Sequence, residues 1–303
     1  MNIACSTDDN YVRYCGVMLT SLFENNKEEV IHIYVFTEGL SRNNRMSLEN
    51  IVNHYKGFFH YCKIESDLIK EFPLKEGSYI SIATYYRLLI PQILPTDLNK
   101  VIYLDCDIIV SSNLNKLWNV DLTNYALGAV DESTTLDNGV FARLQYSSEY
   151  GYFNAGVLLF NLNYWRNNNI INQCFTYIKE NPEKIVLADQ DVLNAVLHAQ
   201  CLHLPCKWNV GTAFYTVSYV RKYRSDTSLI QALKSPYIIH FTWEAKPWTG
   251  FEHPMRRYFF KYQKLTEWKK MKLSFYISVK LMIKEILFFF GLRKNIFVNP
   301  NQL

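Results

Sequence analysis

Val101-Ile102-Tyr103-Leu104-Asp105-Cys106-Asp107-Ile108-Ile109-Val110 is a nearly unbroken apolar run into which two carboxylates are set. Its apolar content fits a strand covered on both faces, as in the interior of a parallel α/β sheet. Alternate residues of a strand share a face, so Asp105 and Asp107 are expected to point the same way. Two unpaired carboxylates in that position repel each other and lose their hydration. A bound divalent cation removes both problems, and the pair therefore marks a candidate metal site.

The flanking sequence alternates between strand and helix patterns. Upstream, 2–6, 32–37 and 58–64 read as strands. Residues 11–24, with Val12, Met18, Leu19 and Leu22 inward, and 41–54 read as helices, and 82–89 as a helix that stops at Pro91. Downstream, 126–130 and 155–162 read as strands, 165–180 and 190–199 as helices, and 237–241 as a closing strand. The alternation predicts an α/β fold with a Rossmann-like, doubly wound, mostly parallel sheet, followed by a mixed portion. Ligands of such sheets collect beyond the carboxyl ends of the strands. Ser6-Thr7-Asp8-Asp9-Asn10-Tyr11 lies on that edge and contains no GxGxxG, which argues against a dinucleotide-dependent oxidoreductase.

Composition narrows the classes further. The 303 residues are 49% hydrophobic and 20% charged, which describes an ordered globular protein. Seven scattered cysteines without a CxxC pair suggest neither a disulfide framework nor a zinc site, and a reducing cytoplasm is expected. The chain begins Met1-Asn2-Ile3-Ala4-Cys5 without a basic or long apolar stretch, so no signal peptide is expected. The net charge of +4 divides unevenly: residues 256–294 carry +9 and the remainder −5. Nothing in that acidic body suggests nucleic-acid binding.

Six further segments accompany Asp105-Cys106-Asp107. They are Ala4-Cys5-Ser6-Thr7-Asp8-Asp9-Asn10-Tyr11, Thr84-Tyr85-Tyr86-Arg87-Leu88, Phe153-Asn154-Ala155-Gly156-Val157, Leu187-Ala188-Asp189-Gln190-Asp191, Ile238-Ile239-His240-Phe241-Thr242 and Lys246-Pro247-Trp248. Together, in this order over roughly residues 1–250, they resemble the family 8 retaining glycosyltransferases. That group includes bacterial lipopolysaccharide galactosyl- and glucosyltransferases and glycogenin.

The resemblance implies a GT-A nucleotide-diphospho-sugar transferase fold over residues 1–255 and transfer of a hexose from a UDP-sugar, with UDP-glucose or UDP-galactose expected. It also implies that Asp105, Asp107 and His240 hold Mn²⁺, with Mg²⁺ as the alternative. Imidazole beside two carboxylates suits Mn²⁺ better than Mg²⁺. Asp8, Asn10 and Tyr11 would take the uridine, Tyr11 by stacking, and an aromatic face with short polar groups at a helix start suits a base and ribose. Arg87 would reach the donor sugar, and Asn154 and Asp189 its hydroxyls. Gln190 would lie beneath the anomeric carbon. Lys246 would neutralise the departing diphosphate, and Ser6, Thr84, Cys106 and Ala155 complete the donor site. Gly156 would permit a tight turn against the sugar. Asp131 matches a position near the acceptor hydroxyl, so the catalytic set is Gln190, Asp189, Asp131 and Lys246. Asp9 and Asp191 read as helix caps, and Trp248 as packing or acceptor-side wall.

Retention admits a covalent intermediate or front-face attack, and an amide at position 190 favours the second route. The stretch Thr242-Trp243-Glu244-Ala245 departs from the family, many bacterial members carrying a Cys-Gly stretch there, and this leaves the acceptor open. The expected acceptor is a hydroxyl of lipopolysaccharide or another surface glycan or glycolipid. Two competing classes are a nucleotidyltransferase making a nucleotide-sugar, which usually has a Gly-rich basic N-terminal loop, and a non-catalytic glycan- or lipid-binding protein. Residues 256–303 mix basic and aromatic side chains, as in Arg256-Arg257-Tyr258-Phe259-Phe260-Lys261-Tyr262 and Trp268-Lys269-Lys270-Met271-Lys272. Lys280, Lys284 and Glu285 interrupt the apolar run, which argues against a transmembrane span. A peripheral contact with the anionic inner face of the cell membrane is expected, with helical packing on the catalytic domain as the competing reading.

Overall fold

The computed structural model of the chain describes residues 1–65, 69, 72–74, 82–132, 139–243, 246–270, 275–290, 292 and 294–303. Its strands are β1 (Asn2–Ser6), β2 (His32–Thr37), β3 (Phe58–Lys63), β4 (Lys100–Leu104), β5 (Ile108–Val110), β6 (Leu127–Asp131), β7 (Phe153–Asn161), β8 (Cys201–His203), β9 (Val210–Gly211) and β10 (Ile238–His240). Seven of them form one sheet in the order β3-β2-β1-β4-β7-β6-β8, and β5-β10-β9 form a second.

The large sheet is mostly parallel, as the strand–helix alternation predicts, but β7 runs antiparallel to both β4 and β6. Alternation along the central strands divides the core in two. Ala4, Val101, Tyr103, Leu158 and Phe160 pack on one face, and Ile3, Cys5, Ile102, Leu104, Val157 and Leu159 on the other. Each fully buried aliphatic or aromatic side chain contributes roughly 1.5–3 kcal/mol, so the buried β1–β4–β7 centre is the stable platform of the molecule. The small sheet has its own core around Ile109, Val210, Ile239 and Phe241.

The decisive stretch differs from the single strand read from its sequence. It is two strands in two sheets: β4 ends at Leu104, and β5 begins at Ile108 after a turn over Asp105-Cys106-Asp107. The apolar run is continuous because Ile102, Leu104, Cys106, Ile108 and Val110 share one core across the turn, while Ile109 faces the core of the small sheet. Two carboxylates therefore sit in a turn at the junction rather than on one face of a strand.

Smaller departures have local causes. Residues 82–89 form a 3₁₀ helix, and Pro91 lies in the first turn of the following Ile90–Ile93 helix, where a missing N–H is tolerated. The helix read over 165–180 is two helices, Leu162–Asn167 and Ile170–Glu180, separated by Asn169 in the left-handed conformation. The strand read over 237–241 is β10 of the second sheet.

Helix α1 (Val12–Glu24) buries Val12, Met18, Leu19 and Leu22 as expected. Its start is fixed by Asp8, whose Oδ1 accepts the N–H groups of Asn10 (2.9 Å) and Tyr11 (2.8 Å). Asp9 is not that cap; it accepts from the amide of Ser41 at the start of α2 (Arg42–His54) and from Asn44.

The C-terminal residues partly return to the body. Helix Arg256–Gln263 packs on α1 through buried Phe259 and Tyr262, and Asn25 donates to Tyr262 Oη at 2.7 Å. Trp268 lies over Gly16 of α1, where a Cβ would come 2.2 Å from the indole. Buried Phe297 is tied in by hydrogen bonds from Val217 to Ile296 and from Val298 to Tyr215. Between these anchors runs the helix Phe275–Phe289, which leaves Tyr276, Met282, Ile283 and Ile286 exposed. Among the described residues no helix is long and apolar enough to cross a membrane. Glu244, Ala245, Met271 and Lys272 lie outside the described residues.

Candidate functional site

The turn between β4 and β5 meets the end of β10 because β10 pairs antiparallel with β5, placing His240 opposite Ile108. Ligand atoms of Asp105, Asp107 and His240 all lie within 4.8 Å of one another. His240 Nε2 is 3.2 Å from Asp107 Oδ1 and 3.9 Å from Asp105 Oδ2. Its other nitrogen, Nδ1, is 2.9 Å from Asn209 Oδ1. Two carboxylates and an imidazole nitrogen converging in this way fit a divalent cation of the Mn²⁺ or Mg²⁺ kind.

Gly156 is where that triangle touches β7. A Cβ there would lie 2.2 Å from His240 Cε1 and 2.9 Å from Asp105 Oδ2. Asn154, Ala155 and Gly156 are strand residues of β7 rather than a turn, and the bareness of Gly156 makes room for the metal triangle.

Charged side chains flank the triangle on both sides. Lys246 is buried, and its ammonium donates to Asp107 Oδ2 and to the Phe241 carbonyl, both at 2.7 Å. Burial opposes the ionisation of Asp107, yet Lys246 and His240 outweigh it and hold the carboxyl well below the usual carboxylate range. On the other side, Arg87 is buried between two acids. Its Nη2 is 2.9 Å from Asp105 Oδ1 and its Nε is 2.9 Å from Asp189 Oδ2. Further guanidinium contacts go to the carbonyl of Ala155 and to Thr84, and its plane lies over the Tyr103 ring. Arg87 thus lines the cleft with its donors taken up by Asp105, Thr84 and the Ala155 carbonyl, beside Asp189.

Burial pushes the Asp189 carboxyl up to about 6, against the pull of Arg87 and of the hydrogen bond from Thr84. Gln190 accepts from the Ala155 amide at 3.0 Å and donates to Tyr152 Oη at 3.2 Å, which presents its amide at the same wall. Asp191 is not a cap in the simple sense. It lies inside the first turn of helix Ala188–Leu197 and accepts from the Val186 and Leu187 amides, Tyr152 and Arg143.

The segment expected to take a nucleoside lies at the carboxyl edge of β1. Tyr11 is 38% exposed, with its ring edge-on to Tyr14 and Trp248. Trp248 stacks on Tyr14 at 4.0 Å and so belongs to this aromatic wall. Cys106 Sγ donates to the Ser6 carbonyl at 3.1 Å, tying the Asp105–Asp107 turn to the carboxyl edge of β1. Asn10 is exposed beside them.

One open cleft is lined by Thr84, Arg87, Asp105, Asp107, Asn154, Ala155, Asp189, Gln190, His240 and Lys246 together. Asp131 is not among the residues lining it. At the end of β6 it faces His203, with His203 Nδ1 2.7 Å from Asp131 Oδ1. Its neighbour Glu132 lines the cleft and accepts from Asn154 at 2.8 Å. Sequence reasoning also missed Asn209, whose signal is one amide between buried Trp208 and Val210.

Comparisons with known proteins agree with this geometry. Residues 2–251 match the model of the family described as Glycosyl transferase family 8. General stress protein A of Bacillus subtilis is 29% identical over 279 residues, covering 88% of this chain and 94% of that protein. The lipopolysaccharide 1,3-galactosyltransferase of Salmonella typhimurium is 26% identical over 280 residues, covering 90% and 80%. The crystal structure of the galactosyltransferase LgtC with donor and acceptor sugar analogs superposes with a TM-score of 0.78 at 25% identity, covering 90% of this chain and all of that one. The chain belongs to glycosyl transferase family 8, has the GT-A fold and is an enzyme that transfers glycosyl groups.

Proposed function

We propose that this family 8 enzyme moves a hexosyl group from UDP-glucose or UDP-galactose to a hydroxyl of a lipopolysaccharide or other surface glycan, with retention of anomeric configuration. The observation that carries the reading is the Asp105–Asp107–His240 triangle flanked by Lys246 on one side and by Asp189 and Gln190 on the other.

The triangle would hold Mn²⁺ or Mg²⁺, which supplies Lewis-acid stabilisation of the diphosphate as it gains charge. Lys246 adds a fixed cation at the same place, and positive charge aimed at a leaving group favours the transition state over the bound donor. Tyr11 offers its exposed ring to the base, and Asn154 and Asp189 offer polar atoms to sugar hydroxyls. Gln190 lies where a covalent route would need a carboxylate, and an amide is a poor nucleophile. The acceptor oxygen therefore attacks from the face that UDP leaves, and its proton goes to the departing phosphate oxygen.

The exposed Tyr276, Met282, Ile283 and Ile286, on a helix within a strongly basic segment, support peripheral attachment of residues 275–290 to an anionic membrane surface. UDP release across a panel of UDP-sugars, with Mn²⁺, with Mg²⁺ and with a chelator, tests the reading. Metal-dependent release from one hexose donor is expected; metal-independent release, or none from any donor, would overturn it.

A further inference from the structure

Trp243 follows β10 with a φ of +77°, inside the left-handed region that bulky residues avoid. The chain is pinned just before it. Thr212 donates its amide to Thr242 Oγ1 (3.0 Å) and its hydroxyl to the Thr242 carbonyl (2.8 Å). Lys246 grips the carbonyl of Phe241. A glycine would take this conformation without strain, so an indole here is kept at a cost to the backbone, and such strain concentrates at working sites.

The ring's surroundings indicate its use. Trp243 is half-buried at the cleft, and among the described residues lining that cleft it is the one Phe, Tyr or Trp; most of the others are charged or polar. Phe251 and Phe297 stand behind it, each with ring centroids 6.4 Å away, so the indole is braced from the protein side. The nucleoside has a separate aromatic wall in Tyr11, Tyr14 and Trp248. The donor hexose faces the polar atoms of Asn154, Asp189 and Gln190. One apolar face is left over, next to the reacting centre.

We propose that Trp243 is the platform on which a pyranose ring of the acceptor stacks, and that it determines which acceptor is used. The inference rests on the UDP-hexose reading above. A pyranose presents a C–H face on one side and hydroxyls at its rim. The indole meets the first, and the surrounding carboxylates and amides meet the second.

The test uses the full chain, with UDP-glucose and UDP-galactose as donors. Lactose and the methyl and p-nitrophenyl glucosides and galactosides serve as acceptors. Trp243→Phe, Trp243→Leu and Trp243→Gly are compared by acceptor KM, donor KM and thermal midpoint. For the Leu and Gly variants, the rise in acceptor KM is expected to exceed any rise in donor KM by about tenfold or more, with Phe restoring most of it. The Gly variant relieves the backbone but loses the packing on Phe251 and Phe297, so the thermal midpoints, with the Phe variant as the one that keeps a ring, separate a KM defect from unfolding. Parallel rises in both KM values, an unchanged acceptor KM, or a wild-type enzyme that releases UDP but uses none of the pyranosides would each overturn the proposal. Absence of UDP release from either donor in the wild type would instead strike the donor reading, and this inference with it.

Discussion

His240 Nδ1 lies 2.9 Å from Asn209 Oδ1, and that bond determines which nitrogen of the imidazole faces Asp105 and Asp107. The orientation is anchored two residues away. Glu132 can only accept, so Asn154 turns its NH₂ to Glu132 and its oxygen to the Gly156 amide. Asn209 then points its NH₂ at Asn154 Oδ1 (2.8 Å) and its oxygen at His240. With a cation held between the carboxylates, Nδ1 carries the proton and the lone pair of Nε2 is left for the metal. Asn209→Leu should therefore weaken Mn²⁺ binding by roughly 10–100-fold, the usual effect of losing a partner that orients a metal ligand. Asn209→Asp, which keeps an acceptor for Nδ1, should recover part of it. Mn²⁺ titration followed by electron paramagnetic resonance reads this without activity, and equal affinities in all three proteins would refute the relay.

Gly156 is constrained by space alone. A Cβ at 2.2 Å from His240 Cε1 and 2.8 Å from Nδ1 must displace the imidazole or the strand. Overpacking of this kind costs roughly 1–3 kcal/mol. Gly156→Ala should lower both the thermal midpoint and the affinity for Mn²⁺, and excess metal should restore part of the activity. A variant of unchanged metal affinity would show that the β7 backbone yields freely here.

These two residues also mark what could be read from the sequence. Asp105 and Asp107 were legible because charged groups stand out in an apolar run, His240 only through the resemblance of its segment to family 8, and the alternating strands and helices made the sheet legible. Asn209 was not, because an amide bonded to another residue's side chain leaves no local pattern. Gly156 was recognised as a close approach but assigned to the sugar, since the sequence cannot say that His240 of β10 packs against Gly156 of β7. The split of 101–110 into β4 and β5 was hidden for a related reason. Apolar periodicity records burial, and both sides of the turn are buried, Ile102, Leu104, Ile108 and Val110 in the same core. Asp131 and Glu132 show the limit of adjacency: neighbouring residues at a strand end face opposite ways, and the cleft took the second.

The Asp189 carboxyl gives a pH signature. Burial raises it to about 6 from an ordinary 3.8, with Arg87 and Thr84 pulling the other way. Below about pH 3.8 it is protonated in both folded and unfolded chains. Between there and about pH 6 only the unfolded chain ionises, so stability from this group falls as pH rises, by on the order of 3 kcal/mol in total. Asp189→Asn cannot ionise and should flatten that decline. The difference between variant and wild-type unfolding free energies, followed by urea denaturation from pH 4 to 7, should therefore grow in the variant's favour with pH. A difference independent of pH would mean that Arg87 keeps Asp189 ionised throughout.

Gln190 separates the two routes to retention. Its side chain bridges the Ala155 amide and Tyr152 Oη, so it supports the wall beneath the expected anomeric carbon. If it were the nucleophile, Gln190→Ala would abolish transfer while UDP-sugar still bound. In front-face attack its contribution is electrostatic and positional, and the loss of one such contact leaves a working enzyme with kcat lowered roughly 10²–10³-fold. Residual transfer with retained anomeric configuration, measured by nuclear magnetic resonance of the product, is the expected outcome. Donor KM should rise little, because the donor contacts proposed for Asp8, Tyr11 and the metal site remain. Complete loss of transfer with normal UDP-sugar affinity would return the argument to a covalent intermediate, and mass spectrometry of the wild type trapped with a slow donor would then have to show a glycosylated Gln190.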